Sequence, residues 1–149
     1  MRSILAAIGI TLATALGAGT VVTSFAACGP TKATPTGTIS GTISYDGHAA
    51  AAGRPLGIAV YKTYPPSGPP VAYRLVDEYQ FPYRYVFDGL PPGAYYVGAL
   101  IDVDPTDTRY VGMLNTKRDP HGYAGNGQQV RIEDFGGTAG VDILLEDSR

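Results

Sequence analysis

The chain has one cysteine, no tryptophan and few charges, which make up 16% of its residues. A single thiol excludes an internal disulfide framework and any zinc site built on several cysteines. The missing tryptophan removes the ring best suited to stacking on sugars. The formal net charge is -2, and the nearest thing to a basic cluster is the pair Lys117-Arg118. A nucleic-acid surface needs a clustered basic face, so that function class is set aside. There is no convincing helical period after residue 30, no heptad pattern and no internal repeat. Hydrolytic signatures are missing too. No G-x-S-x-G elbow occurs, Ser40, Ser44 and Ser67 stand in strand or connector contexts without an evident base, and His48 and His121 are the only imidazoles.

Against these absences stand Gly 20, Pro 12 and Tyr 11 in 149 residues. That is the composition of a turn-rich β protein whose strands carry tyrosine, with enough chain for one domain.

The first segment reads as an address. Arg2 precedes an almost wholly apolar or small run from Ile4 to Val22, and Ser24-Phe25-Ala26-Ala27-Cys28 closes it. Two small residues before a cysteine resemble the lipobox of bacterial lipoprotein signal peptides, with Phe25 where leucine is usual. That resemblance implies a signal peptide at 1–27, lipidation of Cys28 and a membrane anchor, with Gly29 compatible with an outer-membrane destination. Cleavage after Ala26 to give a secreted protein, and a retained membrane helix, are the alternatives. All three place the domain outside the cytoplasm. Residues 28–37 are small and proline-containing, a flexible tether ahead of a domain at 38–149.

Within the domain, Thr38–Tyr45 alternates with Ile39, Ile43 and Tyr45 on one face, and Gly41 marks a bulge or a close backbone approach. Leu56–Thr63 predicts a second strand with Ile58 and Val60 inward. Tyr64–Pro70 is a stiff proline connector, and Val71–Tyr79 a more exposed strand. Tyr83–Phe87 and Ala94–Ile101 flank Asp88-Gly89-Leu90-Pro91-Pro92-Gly93. The simplest expectation there is an antiparallel pair joined by a rigid turn, with Gly89 or Gly93 at positive φ. A short strand is predicted at Arg109–Leu114, then strands at Gln128–Asp134 and Val141–Leu145. The sum is an all-β, antiparallel β-sandwich of seven to eight strands.

Three stretches carry a family resemblance: G-T-I-S-G-T-I-S-Y-D-G, Y-x-F-D-G-L-P-P-G-x-Y-x-V and V-D-I-L-L. Together they resemble the carboxypeptidase regulatory-like domains, prealbumin-type (transthyretin-like) sandwiches, over roughly Thr36 to Glu146. The resemblance implies a structural or binding role without catalytic residues. One transthyretin-like branch is hydrolytic, but through a C-terminal Tyr-Arg-Gly-Ser that this chain lacks.

Two surface features compete for function. Asp102, Asp104 and Asp107 lie within six residues at a strand end, oxygen donors of the kind calcium takes, and as such a candidate metal-dependent or hydrolytic site; aspartate is equally a turn residue. Tyr61, Tyr64, Tyr73, Tyr79, Tyr83, Tyr85, Tyr95 and Tyr96 are too many for one core. Tyr83, Tyr85 and Tyr96 are candidates for a platform that takes carbohydrate or, better without tryptophan, an envelope protein partner; tyrosine is equally a good strand residue, half buried on a pleated surface.

Overall fold

The structure is a computed structural model that describes residues 34–48, 53–104, 115 and 117–148. The apolar N-terminal segment with Cys28, most of the tether, Asp107 and the strand expected at Arg109–Leu114 lie outside the described residues.

The strands are β1 (Gly37–Tyr45), β2 (Leu56–Tyr61), β3 (Ala72–Val76), β4 (Tyr83–Leu90), β5 (Gly93–Ile101), β6 (His121–Tyr123), β7 (Val130–Ile132), β8 (Gly137–Thr138) and β9 (Ile143–Leu145). One sheet, sheet I, has the order β4-β1-β8 with β9 also on β1; sheet II has the order β3-β2-β5-β6 with β7 also on β5. The fold is an all-β sandwich, as the alternation predicts. Two of its strands, β6 and β8, are too short to leave a period in the sequence.

The sheets are held by the residues whose period-two spacing pointed inward. Ile39 and Ile43 of β1, Ile58 and Val60 of β2, Tyr95, Val97 and Ile101 of β5, and Ile143 and Leu145 of β9 share one core. Each such burial is worth about 1.5–3 kcal/mol relative to exposure. Gly41 is the site of close approach: a Cβ there would lie 2.0 Å from the Val141 carbonyl oxygen.

Two expectations are corrected. β4 and β5 do not pair with each other: β4 pairs with β1 and β5 with β2, in different sheets. Pro91-Pro92 offers no amide to close a hairpin ladder, and Gly89 (φ 74°) and Gly93 (φ 147°) turn the chain across the sandwich. Tyr95 fastens this crossover by donating its hydroxyl to the Pro91 carbonyl at 2.5 Å. Nor is the sandwich purely antiparallel, since β8 and β9 run parallel to β1. They form one interrupted strand with an extra residue beside Gly140 (φ 72°), where Val141 N donates to Ser40 O. Alternation fixes which face a residue takes and carries no information on strand direction.

Candidate functional site

The outer faces of the two sheets differ in chemistry. On sheet I, β1 presents Thr38, Ser40, Thr42 and Ser44, and β4 presents Arg84, Val86 and Asp88. On sheet II, register brings Tyr73, Ala59, Gly98 and Tyr123 into one row across β3, β2, β5 and β6. The neighbouring row is Leu75, Gly57, Leu100 and His121, and Tyr61 stands opposite Tyr96. Small residues at the centre of this face let large rings lie over it. A Cβ on Gly98 would fall 2.7 Å from the Tyr123 ring. Gly57, Ala59 and Gly98 floor a slot of about 20 Å³ between Tyr61, Tyr73 and Tyr123, room for about one water.

Tyr64, at the start of the proline connector, completes the group. Its ring stacks on Tyr96 (centroids 5.8 Å apart, 28° between planes) and meets Tyr123 edge-on at 5.1 Å. Gly127 (φ 86°) lies directly under Tyr64, where any side chain would collide with the ring. Offset and edge-to-face pairs of this kind add about 0.5–1.5 kcal/mol beyond burial. On the far side of Tyr64 and Tyr123 lies an open groove of about 510 Å³, lined also by His121, Asn126, Asp142, Leu144 and Glu146.

Burial, with Tyr61 and Tyr64 nearby, pushes the Tyr123 phenol up to about 12; burial also raises Tyr61, and burial, Asp102 and Tyr61 raise Tyr73. These phenols therefore stay protonated at neutral pH and present hydroxyl tips. His121 sets its Nδ1 2.8 Å from the Asp119 carbonyl. A carbonyl only accepts, so Nδ1 carries the proton.

The tyrosines singled out from sequence are separated by the fold. Tyr85 is a core residue, 1% exposed, with its hydroxyl donating to Val141 O, and is no binding surface. Its place in the β4 alternation with Phe87 points it inward, where it stands opposite Gly41 of β1. Tyr83 packs against the core edge-on to Tyr79, within a chain of rings that continues through Phe81 to Tyr45. Tyr96 alone of the three belongs to the sheet II cluster. Tyr123 was missed, because a three-residue strand set among glycine and proline reads as a turn. The signal that marks it is a pair of glycines, Gly57 and Gly98, inside otherwise good strands.

The acidic loop is bound to itself. Asp102, 4% exposed, accepts from Asp104 N at 3.1 Å, and Arg118 donates to Asp104 at 2.9 Å. Asp119, 3% exposed, accepts from Val103 N and Asn115 N, clamping the loop at both ends. Among the described residues no group of three or more His, Cys, Asp or Glu is placed to hold a metal ion. His48 pairs with Asp147, which also accepts from the Tyr45 hydroxyl at 2.5 Å. The two histidines line different grooves that share Leu144 and Glu146.

No family model, curated protein or solved structure matches this chain.

Proposed function

We propose that the mature protein is a non-catalytic binding module of a bacterial cell envelope, held to the membrane by a lipid on Cys28 and presenting the outer face of sheet II to a protein partner. The address rests on the apolar run and Ser24–Cys28, and the tether on the ten residues that follow. The motifs Gly37–Gly47, Tyr85–Val97 and Val141–Leu145 support a carboxypeptidase regulatory-like, prealbumin-type module.

The observation that carries the binding role is the contrast between the two outer faces. Sheet I turns mainly hydroxyls and charges to water, with Val86 (40% exposed) and Leu144 (55%) as separate apolar exceptions, whereas sheet II and the connector over it gather Tyr73 (46%), Tyr64 (44%), Val71 (47%) and Leu75 (37%). Tyrosine supplies a large, rigid, amphipathic contact at low entropic cost. The test is a photo-reactive side chain at position 73, compared with one at position 44 on sheet I, in cells making the protein. A discrete adduct at 73 and none at 44 is expected; equal labelling at the two positions contradicts the reading.

A further inference from the structure

The two sheets also differ at their free edges. In sheet II the edge strand β3 carries Arg74 on its inner side, with the guanidinium 5.5 Å from the centre of the Phe87 ring. An inward-pointing charge is a common defence against pairing with another strand. The corresponding strand of sheet I, β4, has no inward charge, and its one irregularity is the register shift after Phe87. Among the described residues it pairs with β1 alone, and its regularly paired part, residues 83–87, contains no proline, no lysine and no inward charge. Its inner side is Tyr83, Tyr85 and Phe87.

The outer side of the same edge reads Arg84, Val86, Asp88, all exposed, with Val86 40% accessible. This pattern is complementary to itself. When two such strands run antiparallel about a two-fold axis through Val86, each Arg84 stands opposite the other copy's Asp88, and Val86 opposite itself. Directly opposed residues bring their Cβ atoms within about 4.5–5.5 Å, where opposite charges attract and apolar side chains touch. Thr38 Oγ1 donates to one oxygen of Asp88 at 3.0 Å, which orients the carboxylate on this outer face. The β1–β4 register shifts next to Asp88, between its pairings of Phe87 and Leu90. Regular pairing therefore ends there, limiting the complementary stretch to residues 84–88.

We propose that the β4 edge is the docking site for the β4 edge of a second copy of this chain, joined antiparallel about Val86 into a continuous sheet twice as wide. Two Arg84–Asp88 pairs set the register. The contact leaves the tyrosine face of sheet II open and does not depend on the lipid anchor.

The test uses the full chain with C28S, so that an introduced thiol is the only one. Sedimentation should show a concentration-dependent dimer. R84D should raise its dissociation constant about tenfold or more, and the swap R84D/D88R should restore it. Under mild oxidation V86C should cross-link, since opposed Cα atoms at such a site fall within disulfide range, whereas S44C on the same face of β1 should not. V86C cross-linking no faster than S44C overturns the proposal. So does a dimer indifferent to R84D, or a folded R84D/D88R that stays monomeric.

Discussion

Tyr85 donates its phenolic hydrogen to the carbonyl of Val141 across 2.5 Å, in the core of the sandwich and directly opposite Gly41 in the β1–β4 register. The three residues form one joint. Gly41 admits the Val141 backbone to β1, and the carbonyl that arrives there is capped by Tyr85. Tyr85→Phe keeps the ring and strands the carbonyl, at a cost of about 1–3 kcal/mol. Gly41→Ala should cost more, because its Cβ meets backbone. Gly89→Ala meets nothing within 4 Å and pays only for φ 74°, about 1–2 kcal/mol. Urea unfolding gives the order; a Gly41→Ala no worse than Gly89→Ala would contradict the joint.

Alkaline pH should unfold the domain through its buried phenols. Tyr123 is pushed up to about 12 by burial first, then by Tyr61 and Tyr64, from an unfolded value of 10.0. Between those values the folded chain holds a proton that the unfolded chain has lost. This contribution is complete below about pH 10 and disappears as pH rises towards 12. Burial raises Tyr85, Tyr61, Tyr73 and Tyr79 in the same direction. Tyr123→Phe should therefore leave stability at neutral pH within about 0.5 kcal/mol and make its decline above pH 10 shallower. Superimposable declines would show that Tyr123 is not among the phenols responsible.

The acidic loop is expected to depend on Asp119 rather than on a cation. Asp119→Ala removes the acceptor for both Val103 N and Asn115 N and should cost about 1.5–3 kcal/mol. Chelation should leave the melting temperature where it was. A fall of several degrees on adding EDTA, reversed by calcium, would instead assign a cation to Asp102, Asp104 and Asp107.

Much of the fold was legible where a residue's face follows from spacing alone. Val130 and Ile132, Val141, Ile143 and Leu145, and the inward Ile58 and Val60 all lie where alternation puts them. What spacing does not encode is the neighbour. The partners of β4 and β5 depend on how two prolines and two positive-φ glycines redirect the chain, and the direction of β9 depends on a crossover that follows β7. The candidate site was legible only in part. Tyr85 and Tyr96 are the same residue type in equally good strands, and what separates them is which side of the strand packs against the other sheet. Tyr85 lies with Phe87 on the inner side of β4, and Tyr96 opposite Tyr95 and Val97 on the outer side of β5. The clamping role of Asp119 leaves no mark in the sequence, because the amides that hold it come from Val103 and Asn115, which sequence order does not bring together.

Anchoring of the proposed envelope module is tested most directly by intact mass and detergent-phase partitioning of the full chain beside its C28S variant. A lipid on Cys28 gives a diacylglycerol-sized mass increment on the wild type and recovery in the membrane or detergent phase, both lost in C28S. Identical masses and identical partitioning of the two proteins would contradict it, leaving the sandwich and its tyrosine face without the tether.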